Sequence, residues 1–293
     1  MSEVAKGHLA MLLFSLLVAG SFALGGIVAN DIAPTALNAM RFVIAGALIG
    51  GAALVTGGIP RSTWVAPWRY LILGGLFAVY FVLMFEGLKT APPISTAAVF
   101  TLTPVLSALA GYMLLRQITT AWMAAALAVG GAGALWVIFR ADLAALLAFK
   151  IGKGEAIYFV GCVAHAIYTP MIRKLNRGES PLVFSFGTIC AGILVLLVWG
   201  WGDIVSTNWL ALPAVIWITI LYVAICASAV TFVLVQFATL RLPSAKVMAY
   251  TYLTPSWVIL WQVALGNGAP PPAVLIGVAL TAVALLMLLR SEA

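Results

Sequence analysis

Residues 91–104 read APPISTAAVFTLTP, and residues 242–255 read LPSAKVMAYTYLTP. In each stretch a proline opens an apolar run, and a second proline preceded by Leu-Thr stands twelve residues further on. Pro92 matches Pro243, Ala98 matches Ala249, and Leu102-Thr103-Pro104 matches Leu253-Thr254-Pro255, all at a shift of 151 residues in a chain of 293. Proline inside a helix removes one backbone hydrogen bond and clashes with the carbonyl four residues earlier, so each stretch predicts a helix bent near its middle. The chain reads as one unit written twice around that interrupted helix.

Working outward, 64% of the residues are hydrophobic and only 8% are charged, with mean hydropathy +1.15. A soluble domain carries roughly 25% charged residues, so this composition leaves too little polar material for a wetted surface and predicts an all-α polytopic membrane protein. The formal charge of +7 does not point to nucleic acid, because all but one of the fifteen basic residues are scattered over short inter-helix segments and span ends, where they act as topology determinants. Cys162, Cys190 and Cys226 each lie inside an apolar run, an odd count that fits buried hydrophobes better than disulfides or a metal site. The apolar run behind Lys6 extends to about Val28, long enough to span and therefore too long for a signal peptide.

Apolar runs cut by proline, glycine and charge predict ten spans, at 8–29, 33–56, 67–88, 92–115, 119–138, 154–174, 181–201, 212–237, 243–265 and 270–289. The longest connection, 139–153, has an amphipathic pattern that predicts a short helix lying in the membrane interface. The duplication extends beyond the opening pair: GHLAMLLFSLLVAGSFALGG (7–26) faces GEAIYFVGCVAHAIYTPMIR (154–173), and Pro34 faces Pro181. The halves are then 1–146 and 147–293, five spans each, together one membrane domain. Because five is odd, the second half enters the membrane from the opposite side, giving inverted repeats of the kind that alternating-access carriers use. Ten loop lysines and arginines on the N-terminal side against four on the other predict a multi-pass inner-membrane protein with both termini in the cytoplasm.

This arrangement, together with Glu86-Gly-Leu at the end of the third span and the paired Leu-Thr-Pro segments, resembles the EamA-type exporters of the drug/metabolite transporter superfamily, among them the bacterial YddG-like aromatic amino acid exporters. The second half departs from the first, with Phe237-Ala-Thr where the first has Glu86-Gly-Leu, so a role for that carboxylate is not duplicated. The resemblance implies export of small metabolites, often amino acids, through a cavity between spans 1–4 and 6–9, with spans 5 and 10 outside.

Several residues carry chemistry at membrane depth. Thr103-Pro104 and Thr254-Pro255 are candidate hinges or gates; the carbonyls that the prolines free, at Phe100 and Thr251, need partners that the threonine hydroxyls could supply. His165, costly in hydrocarbon, should face a cavity, carry a proton or bond another helix. Tyr80, Phe100, Tyr168, Tyr250, Tyr252 and Trp257 cluster around the two kinks as an aromatic wall, with Ser15 a weak polar candidate. Arg41, one turn after Asn38 and roughly 12 Å in from its helix end at 1.5 Å per residue, could hold a substrate carboxylate, pair with Glu86 or snorkel. No carboxylate occupies the midplane, so the reading leans towards weakly coupled or uncoupled transport, with His165 and Glu86 as reserve proton carriers. No paired-Asp, His-x-Glu, G-x-S-x-G or P-loop pattern supports an enzyme, no cofactor is implied, and a channel fits inverted five-helix halves less well than a carrier. The partners are then a small-molecule substrate and the lipid bilayer, and a monomer suffices.

Overall fold

The computed structural model describes residues 2–290, and among them every regular element is helical. The long segments are α1 Glu3–Val28, α2 Pro34–Thr56, α3 Trp68–Leu88, α4 Pro93–Leu115, α5 Ala121–Ile138, α6 Lys153–Leu175, α7 Pro181–Trp199, α8 Ala214–Thr239, α9 over 244–264 and α10 Pro272–Arg290. Nine of them are long and apolar enough to cross a membrane. The remaining segment, α9, is helical in three pieces: Ser244–Ala249, a 3₁₀ turn at Tyr250–Leu253, and Thr254–Ala264. Prolines at the first position of α2, α4 and α7 start these helices with a preset φ and no lost donor.

The interruptions fall where the duplicated motif predicts them. Helix α4 stops at Phe100, turns through Thr101-Leu102 and restarts at Thr103; α9 tightens just before Thr254. The Thr103 hydroxyl donates to the Phe100 carbonyl, the group that Pro104 leaves without its amide. The second half does not repeat this device, for Thr254 Oγ1 is buried without a partner. A third departure from α geometry, absent from the sequence reading, is a π-helical turn over Ile225–Val230 in the middle of α8.

Helices α5 and α10 pack chiefly on each other, α3 lies against α6 and α7, α2 against α7 and α8, α6 against α4, α1 against α8 and α9, and α4 against α9. Close approach is glycine-dependent at two crossings. A Cβ on Gly154 would stand 2.3 Å from the Gly87 carbonyl between α6 and α3, and one on Gly133 would stand 2.6 Å from the Gly277 carbonyl between α5 and α10. Outward surfaces carry exposed Leu9, Leu54, Val198, Ile218 and Ile276, an apolar coat suited to lipid. The connection after α5 contains one short helix, as its pattern predicts, at Leu143–Leu147, bounded by left-handed backbone at Arg140, Ala141 and Phe149.

Candidate substrate site

Along α3, Phe77, Tyr80 and Phe81 follow the three-and-four spacing that puts side chains on one helix face, and all three turn inward. Tyr158, His165 and Tyr168 share the facing side of α6, and Phe100 arrives at the broken end of α4. The His165 ring stacks on Tyr80 at 4.4 Å between centroids and lies 5.4 Å from both Phe77 and Phe100. Phe77 also touches Tyr168 at 4.1 Å and Phe232 of α8 at 4.3 Å. Tyr158 donates its hydroxyl to Tyr80 at 3.2 Å, and Gln236 of α8 donates Nε2 to the Tyr168 hydroxyl at 3.1 Å. His165 Nδ1 and Gln236 Oε1 are buried without hydrogen-bond partners, an expensive state for polar atoms inside a packed interior.

Arg41 is fully buried at one side of this cluster, its guanidinium 3.5 Å from the Phe81 ring centroid. Its Nε donates to Ser228 Oγ at 2.5 Å and Nη2 to the Ala227 carbonyl at 2.6 Å, both groups of the π-turn in α8. Nη1 reaches Asn38 Oδ1 only at 3.4 Å, while the Asn38 amide donates to the Pro34 and Phe81 carbonyls. Among the described residues no carboxylate pairs with Arg41. The Glu86 pairing considered from the sequence is replaced by an ion pair of Glu86 with Lys89 at 2.7 Å, part-exposed at the end of α3 and away from the cluster. Snorkelling is likewise excluded by the complete burial of the arginine.

Tyr80, Phe100, His165 and Tyr168 therefore meet, with Asn38 and Arg41 alongside; other expected members do not join them. Tyr250 points to the N-terminal end, its hydroxyl 3.1 Å from His8 Nδ1. Tyr252 packs against Gly130 of α5, where a Cβ would stand 2.3 Å from the phenol ring. Both belong to the 3₁₀ turn of α9, whose three residues per turn redirect side chains that a 3.6-residue helix would aim inward. Trp257 is half-buried and donates Nε1 to Ser15 Oγ at 3.2 Å, which ties α9 to α1 beside the cluster. Phe77, Phe81, Tyr158, Phe232 and Gln236 are members of the cluster that the sequence reading missed. The Phe77-Tyr80-Phe81 and Tyr158-His165-Tyr168 spacings carried the signal.

Where the kinks cross, the Thr103 hydroxyl lies 3.4 Å from Thr251 Oγ1, so the two interrupted segments touch. Both ends of the bundle are tied. At the N-terminal end Arg69 of α3, almost wholly buried, donates to Glu179 Oε1 and to the Leu175 carbonyl, each at 2.7 Å. Beside that clamp is a cleft of about 840 Å³ lined by Thr56, Ser62, Arg177, Glu179, Ser180 and Phe237 among others. At the opposite end Thr35 bonds Asp203, and Ser95 donates to buried Glu155 at 2.7 Å. Glu155 stands in the first turn of α6, away from the middle of the span, and is enclosed by the protein.

The sequence model of the EamA-like transporter family matches this chain twice, over residues 5–139 and 152–290. The chain belongs to the EamA-like transporter family. The two matches give it the two repeats of that family, and the activity is membrane transport rather than catalysis. A relative in Bacillus subtilis (strain 168), the uncharacterized transporter YyaM, is 24% identical over 263 residues, covering 89% of this chain and 86% of its own. A solved structure described only as the crystal structure of a protein shares the fold, with TM-score 0.73 and 23% identity, over 98% of this chain and 96% of that one. As an EamA protein the chain is a multi-pass membrane transporter of small molecules.

Proposed function

We propose that this EamA transporter exports small metabolites, aromatic or other neutral amino acids foremost, by alternating access around the aromatic cluster. The observation that carries the reading is the coincidence of a buried aromatic wall, unpartnered polar atoms on His165 and Gln236, and a buried guanidinium with no carboxylate partner among the described residues. In the open states of that cycle Phe77, Tyr80, Phe100, Tyr168 and Phe232, which pack on one another here, supply the apolar wall for a side chain, while Asn38, Arg41 and His165 orient the polar end.

The helix pairings support ten spans in two inverted halves. Exchanging each helix for the one five places away turns the α3–α6 contact into α8–α1, α4–α6 into α9–α1, and α2–α8 into α7–α3, all of which occur. The α2–α7, α4–α9 and α5–α10 pairs map onto themselves, as contacts across a two-fold axis must. In this reading both termini face the cytoplasm, the cleft beside Arg69–Glu179 is the cytoplasmic vestibule, and the kinked α4 and α9 gate the site. Glu86 lies outside the cluster and His165 within it, so any proton coupling falls to His165. A monomer contains every element of the site.

Uptake into proteoliposomes, screened over amino acids and nucleosides, tests the substrate. Counterflow of L-phenylalanine, L-tryptophan or a neutral aliphatic amino acid is the expected result. Nucleoside counterflow with no amino acid carried would overturn the amino acid assignment.

A further inference from the structure

The π-turn of α8 and the arginine of α2 are each unusual, and they are one feature. A π-turn adds a residue to the helix and turns carbonyls away from the helical ladder, so it persists only where something else holds them. Here the Ala227 carbonyl and Ser228 hydroxyl are held by Arg41, and the Ser228 carbonyl lies 3.5 Å from the Thr231 hydroxyl. Arg41 in turn is a fully buried cation whose resting acceptors are all neutral. A carboxylate satisfies a guanidinium through two parallel charge-assisted bonds and outcompetes a carbonyl and a hydroxyl for the same donors.

We propose that Arg41 is a carboxylate-binding site whose resting ligands are the π-turn's own groups, so that an entering anion displaces Ala227 and Ser228 from the guanidinium and releases α8. Arg41 belongs to the first half of the chain and the π-turn to the second, so the exchange loosens a bond between the halves when the site is filled. The inference rests on the cluster around Phe81 being the substrate site, and it adds the chemical group that is recognised and the element that responds. An aromatic or aliphatic acid qualifies as ligand whether or not it carries an amine; an amine without a carboxylate does not.

Cys226 lies within the turn, partly accessible, and reports on it directly. In Cys162→Ser/Cys190→Ser protein reconstituted in liposomes, alkylation of Cys226 by N-ethylmaleimide is followed alone and with L-phenylalanine, 3-phenylpropionate or phenethylamine. Both carboxylates are expected to change the rate by about tenfold, the scale of one charge-assisted hydrogen bond, while phenethylamine leaves it unchanged. Arg41→Gln should show the shifted rate without ligand and no further response. Ser228→Ala, the milder change, should move the unliganded rate part of the way and keep the response to carboxylates. An equal effect of phenethylamine, or a carboxylate response that survives Arg41→Gln, overturns the proposal, as does a wild-type rate that no carboxylate alters while L-phenylalanine is transported. A response to 3-phenylpropionate without any amino acid transport overturns the amino acid reading and leaves the anion site standing.

Discussion

A buried cation is only as stable as its partners, and Arg69 shows this at the N-terminal end of the bundle. Its guanidinium is 1% exposed and holds the α6–α7 connection through Glu179 and the Leu175 carbonyl. Burial raises the Glu179 carboxyl, but the hydrogen bond from Arg69 and backbone donors outweigh it and hold the group below its ordinary value of 4.5. A carboxyl depressed on folding contributes its stabilisation in full above the unfolded value and loses it as pH falls through the folded one. Arg69→Ala is expected to remove ~1–3 kcal/mol, because the buried Leu175 carbonyl loses its donor and Glu179 keeps only the Arg177 amide and the Tyr70 hydroxyl. The thermal midpoint of detergent-solubilised wild-type protein should hold from neutral pH to about 5 and then fall more steeply than that of Glu179→Gln. Parallel acid profiles in the two proteins would refute the assignment. The sequence presented Arg69 only as one more loop charge counted for topology, since nothing local distinguishes a buried arginine from a snorkelling one. Arg41 was legible as an arginine at membrane depth, with snorkelling left open, but its burial and its partners 186 and 187 residues away were not.

Elements explain where the reading of the sequence held and where it slipped. Span limits came from hydropathy, which depends on local composition, and they agree with the helices to within a few residues, Lys153–Leu175 against 154–174 for instance. Departures from α geometry are harder, because a π-turn or a 3₁₀ turn is chosen by distant partners. ICASAV carries no marker of its own, and the redirection of Tyr250 and Tyr252 follows from the tight turn that ends at Leu253. The proline kinks were legible because proline acts on its own helix. Even there the two copies differ in energetics. Thr103 satisfies the Phe100 carbonyl, whereas the Thr254 hydroxyl satisfies nothing. Thr103→Val should therefore lower stability by ~1–3 kcal/mol, the cost of stranding a buried carbonyl, while Thr254→Val should be neutral or slightly stabilising. Thermal unfolding of the two single variants decides this, and equal losses would mean that the duplicated threonines act alike.

For the whole molecule, what matters is that the two interrupted helices touch at the level where both lose a backbone bond. Thr103 meets Thr251 across the crossing, and the ladder on each side is already loosened, by the turn through Thr101-Leu102 in one helix and the 3₁₀ segment in the other. The proposed alternating access needs a place where bending is cheap in both halves, and we assign that role to Pro104 and Pro255. Alanine at 104 would restore an amide within reach of the Phe100 carbonyl, in competition with the Thr103 hydroxyl, and alanine at 255 would offer the same to Thr251. Both changes favour a straight, stiffer helix. Pro104→Ala/Pro255→Ala protein is expected to insert and fold as the wild type does, with substrate counterflow slowed by about tenfold, ~1.4 kcal/mol on the rate-limiting motion. Each single variant should slow it less, since one flexible helix still lets its partner close. Equilibrium binding should change little, because neither proline brings a polar side chain to a ligand. Counterflow at the wild-type rate in the double variant would reduce the kinks to static bends, and alternating access would then have to be sought in rigid rocking of α3–α6 against α1–α8.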